Sequence, residues 1–461
     1  RAGYKVQILE YRERAGGRCW TLHAGETYTE LGGATQTADF AEGNYFNPGP
    51  WRIPADHHGV LAYCKKFGVR LEPFIQRNFY AYLHNSGALG GKPQRYREVA
   101  ADFRGQIAEL LAKAVDQGRL DEAATDADAA ALVEALKTYG ALDENLEYVA
   151  SAQVSAYRGW KVPPGGGADP WPEPSEIITL KDIVHGRLWE FLTDGDLIDY
   201  QPSIFQPVGG MEEIARGFAR HITEEVGDIF THGAKVVRIT GGDDGVEVAW
   251  VPAGGGGEET VVRADYCICT IPFSILGQIE NNFSSEMKQA IDSVYYEASI
   301  KVGLEFKRRF WEQDERIFGG ITYTDLPISL ISYPSTDYFS DGPGVLLAAY
   351  SWGAAAYNFT AVDPEERVER ALEFGEKIHP QYREEFKTGV SVGWHRVPWV
   401  LGCYGEWRDK ENDYAHAAKM DQRVLMAGEH MSELPAWQEG AVLSGIDTVR
   451  RLHAHVTGNE G

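Results

Sequence analysis

The stretch Arg1–Arg18, RAGYKVQILEYRERAGGR, holds an acid and a glycine pair at a spacing that suits a nucleotide. Lys5–Leu9 is a short apolar run of the length of a buried parallel strand, and it ends in Glu10. In a dinucleotide-binding βαβ unit, an acid about 20 residues after the glycine fingerprint accepts hydrogen bonds from ribose hydroxyls. Ala15-Gly16-Gly17-Arg18 follows, where two glycines let backbone approach a ligand and a guanidinium offers charge to a phosphate. The same residues also fit an ordinary strand ending in a polar turn. No G-x-G-x-x-G precedes Lys5. A nucleotide-binding sheet without its first strand and phosphate loop would lack its centre, so a further segment ahead of Arg1 is expected; intact-mass measurement of the purified protein checks this.

Three other places carry reactive or ligating types. Gly49-Pro50-Trp51-Arg52-Ile53-Pro54 is a rigid turn that presents an arginine between two prolines. Lys301 stands beside Val302, Gly303 and Leu304, where a buried ammonium is costly without a partner; the alternative is a strand-end lysine that points to solvent. The turn Gly428-Glu429-His430 precedes a helix from Trp437 to about His455, whose N-terminus offers free N–H groups and positive dipole to an anionic group.

Composition limits the class. The 461 residues carry a net charge of −24, against a nucleic-acid binder or an anionic-membrane partner. The five cysteines (Cys19, Cys64, Cys267, Cys269, Cys403) show neither a disulfide framework nor zinc-ligand spacing, so no metal is expected. No apolar stretch has membrane-spanning length. The N-terminus gives no address, which leaves both cytoplasmic and secreted locations open.

The elements that must position these residues follow in order. Cys19–Leu22 and Tyr28–Leu31 read as a strand pair, then come Gly32 and Gly33; His57–Phe67 reads as a helix stopped by Gly68. Phe74–Leu83 alternates like a strand. Residues 99–192 change to a helical, alanine- and acid-rich pattern, with an acidic face expected to be solvated and a break at Pro163–Pro174. Met211–Ile222 is an amphipathic helix, and Ala234–Ile239, Gly245–Val251 and Thr260–Ala264 form a small meander. Asp265–Ile271 is a buried strand. Ser299–Trp407 alternates as strands around one helix at Pro364–Ile378, and a strand at Arg423–Ala427 leads to the last helix.

With these pieces in order, the sequence resembles the flavin-containing amine oxidase superfamily, and within it the L-amino acid oxidases. The likeness covers nearly the whole chain. It rests on VQILEYRERAGGRCWT (Val6–Thr21), GPWRIP, PVGGM (Pro207–Met211), KVGLEFKRRFWE (Lys301–Glu312), YTDLPISLISYP (Tyr323–Pro334) and AGEH…AWQEGAVLSG (Ala427–Gly445). The resemblance implies an α/β fold with a discontinuous, doubly wound FAD-binding domain (1–50, 206–298, 418–461). A mixed-sheet substrate domain (51–99, 299–417) and a helical insertion (100–205) complete it, and a homodimer is expected.

For the cofactor, the resemblance implies non-covalent FAD. Glu10 would bind the adenosine ribose, Gly16, Gly17 and Arg18 would approach the pyrophosphate, and Val236 or Val237 would contact adenine. Glu429, beside Gly428, would hold a ribityl hydroxyl, and Gln438–Ala441 would cover the flavin. Gly32, Gly33, Trp51, Arg52, Trp394 and Trp437 are likewise expected around the cofactor. Gly402-Cys403-Tyr404 resembles the place where monoamine oxidases attach flavin to cysteine, but its neighbours differ and no bond is expected.

For the substrate, Arg52 would grip a carboxylate with its two-pronged guanidinium. Tyr333 would add a second carboxylate contact, although Ser332 before it leaves the register open by one residue. Trp437 would form one aromatic wall and Tyr404 or Trp352 another, while Lys301 would hold a water near flavin N5. Tyr45, Phe46 and Asn47, in a longer Gly33–Gly49 segment, are expected to reshape the entrance. The implied reaction is oxidative deamination of an L-amino acid by O2, giving a 2-oxo acid, ammonia and hydrogen peroxide. Its rivals are an amine oxidase, an amino acid 2-monooxygenase, or an inactive flavin-fold binding module. An acidic pocket would suit lysine or arginine, an apolar one leucine or phenylalanine.

Overall fold

The computed structural model describes residues 3–119, 126–167, 170–200 and 203–458. Its largest sheet has seven strands. Their spatial order is Phe386–Gly393, Ser299–Phe306, Gly344–Trp352, Leu330–Ser332, Ile321–Thr324, Tyr82–His84 and Gln94–Arg95. All neighbours are antiparallel except Ile321–Thr324 with Tyr82–His84. Every residue of Ser299–Phe306 is buried, and period-two alternation divides its side chains between two faces. Ile300, Val302, Leu304 and Phe306 enter the main apolar core with Phe310, Trp311 and Tyr382. Lys301, Gly303 and Glu305 take the other face, where Phe46 packs over Gly303 so closely that a Cβ there would meet its ring at 2.6 Å.

Parallel pairing outside the large sheet is limited to two or three residues at each place, including Arg238 and Ile239 of Ala234–Gly242 with Glu280–Asn281. Ile8–Leu9 runs parallel to Phe230–Thr231, and Cys267–Cys269 parallel to Val424–Met426. Beside them lies a four-stranded sheet in the order Thr260–Ala264, Gly245–Pro252, Ala234–Gly242, Glu280–Asn281, which contains the expected meander. The expected helices occur at His58–Phe67, Glu212–Glu225, Pro364–Glu376 and Gln438–Thr457. Between residues 96 and 200 the described elements are mainly helical, the longest being Tyr96–Asp116 and Asp126–Gly140, with a small hairpin of Trp160–Val162 and Glu173–Pro174. No helix among the described residues is long and apolar enough to cross a membrane.

Two strand expectations are corrected. Phe74–Leu83 is not one strand: Leu71–Phe74 and Tyr82–His84 belong to different sheets. Asn78 breaks the run, its amide donating to Phe318 O and Gly319 O while its Oδ1 accepts the Tyr80 N–H. The pair at Cys19–Leu22 and Tyr28–Leu31 also separates, because Leu22–His23 pairs with Tyr45–Phe46 and Thr27–Thr29 with Thr35–Thr37. Gly32 and Gly33 lie in the connection of that second hairpin with φ of 98° and 90°, values glycine adopts at no steric cost.

The C-terminal helix and helix His58–Phe67 are joined by one side chain. Helix His58–Phe67 has no capping side chain of its own at His57, and Glu439 supplies the cap from outside. Its two carboxylate oxygens accept the Gly59 and Val60 N–H groups at 2.8 and 2.7 Å. Glu439→Ala is expected to cost about 1–3 kcal/mol, since it strands one buried and one half-buried donor. Glu439→Gln should recover part of that; equal thermal melts for wild type and the alanine variant would contradict the cap.

Candidate active site

A continuous cavity of about 840 Å³ runs from the end of strand Ile8–Leu9 to an aromatic chamber. Its first end is lined by Glu10, Arg12, Phe230, Ala234 and Val236. The Glu10 carboxylate accepts the Arg12 N–H at 2.9 Å, and burial raises its pKa against that bond and the Arg12 charge. Arg12 Nη2 is buried without a partner. The middle is walled by Ala15–Arg18, Pro48, Gly49, Thr270 and Gly428. Arg14 braces the glycine turn by donating to Ala15 O, Gly17 O and Cys19 O. Gly16 has φ +106°, and a Cβ there would lie 2.5 Å from Ala215 Cβ, so helix Glu212–Glu225 can approach only a glycine.

Arg18 and Glu429 face each other across the middle of the cavity. Arg18 Nη1 donates to Glu429 Oε1 at 2.7 Å and to Cys403 O at 2.9 Å. Glu429 also accepts the N–H groups of Gly405 and Ala436. Burial drives its carboxyl upward, and Arg18, His430 and the Ala436 N–H together more than offset this, leaving it below the usual range. Next to it, His430 is buried against Phe273 (4.3 Å) with neither ring nitrogen bonded.

Burial, opposed by Glu429 and reinforced by Arg18, brings the His430 pKa from 6.5 down to about 4. As pH falls, the unfolded chain therefore takes up this proton first. Stability present above pH 6.5 is lost as pH drops to about 4, an effect of about 3 kcal/mol. His430→Phe is expected to flatten the pH dependence of unfolding in that window, partially, because His395 at about 4 shares it. An unchanged slope would contradict the assignment.

The chamber is lined by Trp51, Arg52, Gln76, Tyr200, Tyr323 and Tyr350, with Asp194, Trp352, Trp394, Cys403, Tyr404 and Trp437 completing it. Arg52 is only 8% exposed. Its Nη1 donates to Gln76 Oε1 at 2.9 Å, its Nε is buried and unbonded, and no carboxylate among the described residues lies within ion-pairing distance. Its guanidinium lies over Tyr200 (4.2 Å), Trp51 (4.7 Å) and Trp437 (5.8 Å). Burial raises the Asp194 carboxyl, with the Arg52 charge opposing.

Lys301 sits just behind the chamber wall. Its Nζ donates to Gly49 O, lies 3.5 Å from Asn47 O, and is over the rings of Tyr350 (4.4 Å) and Trp51 (4.9 Å). Burial, reinforced by the Arg52 charge, pushes its pKa well below 10.5. The C-terminal helix starts at the cavity: Gln438 and Ala441 line it, and Trp437, the residue before the helix, provides no side-chain cap.

Comparison with known proteins decides the family. The family model described as flavin containing amine oxidoreductase matches residues 1–453. The chain belongs to that family. A putative L-amino-acid oxidase of Bacillus subtilis (strain 168) is 27% identical over 458 residues, covering 96% of this chain and 89% of that protein. An L-amino-acid oxidase of Siganus canaliculatus is 28% identical over 473 residues, covering 100% and 83%. Among solved structures, the cyclohexylamine oxidase of Brevibacterium oxydans IH-35A has a TM-score of 0.63 at 16% identity, covering 99% of this chain and 95% of that one. A putrescine oxidase variant has 0.62 at 17%, covering 98% and 94%. These last two likenesses bear on the fold, an amine oxidase α/β architecture as expected.

Membership in the flavin amine oxidoreductases implies FAD, and the cavity fits it. A strand-end acid with spare acceptor capacity, an unpartnered buried Arg12 donor, a close-packed glycine turn and an uncapped helix start all face one continuous space. Among the expected cofactor residues, Glu10, Gly16, Gly17, Arg18, Trp51, Arg52, Val236, Trp394, Gly428, Glu429, Trp437, Gln438 and Ala441 line the cavity. Cys403 lines it too, but its thiol donates to Glu297 O and burial lifts its pKa to about 11, away from a reactive thiolate.

Some expected residues lie elsewhere. Gly32 and Gly33 lie in their hairpin connection, and Val237 is outside the lining that holds Val236. Tyr333 does not reach the chamber: its hydroxyl bonds Thr322 Oγ1 (2.8 Å) and His379 Nε2 (2.7 Å) inside the sheet core. Tyr45, Phe46 and Asn47 line a separate small hollow of about 90 Å³ instead of the entrance. Arg12, Gln76, Asp194, Tyr200, Tyr323 and Tyr350 line the cavity without having been singled out. For Arg12 a signal existed, two residues after Glu10 in the same charged turn; the other five arrive from distant segments.

Proposed function

We propose that this flavin amine oxidase acts on L-amino acids, with the 1–50/206–298/418–461, 51–99/299–417 and 100–205 division as its domain plan. The observation that carries the reading is Arg52: a buried guanidinium facing a cavity, with no carboxylate partner among the described residues. An unpaired buried cation is costly, and a substrate carboxylate would supply the missing charge and hydrogen bonds. A neutral amine substrate gives this arginine nothing to bind.

FAD, when bound, supplies the two-electron acceptor: the amino acid gives up a hydride equivalent from Cα, water converts the imino acid to a 2-oxo acid and ammonia, and O2 becomes hydrogen peroxide. The protein's part is orientation. Gln76 fixes one arm of Arg52, Trp51, Tyr200 and Trp437 enclose the guanidinium, and these contacts set where Cα must lie. Lys301, whose pKa burial pushes well below 10.5, anchors the Gly49 carbonyl and so stiffens the turn that carries Arg52. Peroxide release from each of the twenty amino acids, with anaerobic bleaching of the yellow protein, tests the reading. Turnover of simple amines with none of amino acids would overturn it.

A further inference from the structure

Outside the flavin cavity, the fold brings a distant aspartate to an adjacent Asp-His pair, giving three ligating side chains in one place. Asp56 and His57 end the turn that begins at Arg52, and Asp199 comes from the short 3-10 turn Ile198–Tyr200. One ligand atom from each, a carboxylate oxygen or a ring nitrogen, lies within 4.8 Å of the others. His57 Nε2 is 3.8 Å from Asp199 Oδ1, beyond hydrogen-bond range. The His57 side chain is 4% exposed and that nitrogen has no partner. The ring stands edge-on to Trp437 at 4.8 Å, which limits any swing towards water. A buried imidazole nitrogen that faces a carboxylate beyond hydrogen-bond range and is bonded to nothing is an unsatisfied site, not a finished ion pair.

We propose that Asp56, His57 and Asp199 bind one divalent transition-metal ion of the Zn2+ type. One imidazole and two carboxylates form a borderline nitrogen–oxygen donor set that suits Zn2+, while Mg2+ and Ca2+ prefer oxygen alone. Two carboxylates balance the ion's charge. Donors bound tetrahedrally to one ion at about 2.1 Å lie about 3.4 Å apart. A separation of up to 4.8 Å therefore closes by up to about 1.4 Å, which a change of rotamer at the exposed Asp56 provides. Three protein ligands leave a position for water.

The ion would strap two segments of the substrate chamber together. Asp199 adjoins Tyr200, whose ring lies 4.2 Å from the Arg52 guanidinium, and Asp56 and His57 follow Arg52 on its own turn. Binding at this site thus orders the cover over Arg52, and does not itself depend on which substrate the enzyme takes.

The test uses FAD-loaded protein stripped with EDTA and titrated with ZnCl2 in a calorimeter, with MgCl2 as the comparison. One Zn2+ per chain is expected and no Mg2+ binding. Asp199→Asn and His57→Ala should each weaken Zn2+ by more than about 10-fold. Asp56→Asn, an exposed change that leaves the core untouched, should do the same and decides the matter if His57→Ala does not fold. In wild type, ZnCl2 should also slow amide hydrogen exchange at residues 197–200, and in Asp199→Asn it should not. Absent Zn2+ binding, or equal affinity in wild type, Asp56→Asn and Asp199→Asn, overturns the site; exchange unaffected by ZnCl2 overturns the strap.

Discussion

Arg52→Ala is expected to lower kcat/KM for the preferred amino acid by about 30-fold to several thousand-fold, the equivalent of about 2–5 kcal/mol. The size follows from burial. The guanidinium is 8% exposed, enclosed by Tyr200, Trp51 and Trp437, and held on one arm by Gln76. A carboxylate bound there gives up its water and relies on charge-assisted bonds in return, and alanine would leave it bare beside aromatic rings. Arg52→Lys should recover only part, because one ammonium cannot reproduce the fork and would lose the Gln76 contact geometry. The loss should be selective. The decarboxylated amine of the same substrate makes no use of the guanidinium, so its weak turnover should hold or rise once the like charge is gone. The measurement is kcat/KM for both compounds in wild type and both variants. Equal losses for amino acid and amine would remove the clamp and favour a simple amine oxidase.

What the sequence made legible was local. Glu10, Gly16, Gly17 and Arg18 lie within one short stretch, so strand end, turn and charge could be read together, and all four line the cavity. Arg52 was marked by its two prolines, and Lys301 by apolar neighbours on a central strand. Positions fixed by pairing between distant strands were not legible. Tyr333 shows why. Strand Leu330–Ser332 pairs Leu330 with Tyr323 and Ser332 with Ile321, and Leu330, Tyr323 and Ile321 face the chamber. Tyr333 and Ile331, on the alternate parity, enter the core on the other side. A step of one residue reverses a strand side chain, and the sequence left that step open. Arg18 illustrates a different limit: its charge was evident, but its pairing with Glu429 joins opposite ends of the chain. The pattern of the acid-rich region after residue 99 predicts a solvated face, and many of its acids among the described residues are exposed or half-buried. Asp102 is the exception, with no exposed surface.

Asp102→Ala is accordingly expected to destabilise the helical region by about 3–5 kcal/mol, the cost of breaking a buried ion pair from one side. Asp102 lies in helix Tyr96–Asp116 and joins three further places in the chain. Its Oδ1 accepts Arg158 Nε and the Tyr148 hydroxyl, both at 2.8 Å, and its Oδ2 accepts Arg158 Nη2 at 3.0 Å and the Ile178 N–H at 2.8 Å. Arg158 extends the network to Glu176 O and the Ser175 hydroxyl. Alanine would strand the Arg158 charge, a tyrosine hydroxyl and a backbone N–H in a space closed to water, whereas Asp102→Asn keeps acceptors for some of them and should cost less. The readouts are thermal unfolding and amide exchange in helices Tyr96–Asp116 and Ala152–Arg158, where protection should fall most. The same region supplies Asp194 and Tyr200 to the chamber, so loosening it should raise KM for the amino acid more than it lowers kcat. Surface pairs such as Lys161–Glu173 provide the contrast: removing either partner should change unfolding little, because solvent already satisfies both. If Asp102→Ala melts at the wild-type temperature with protection intact, the network does not hold the region together.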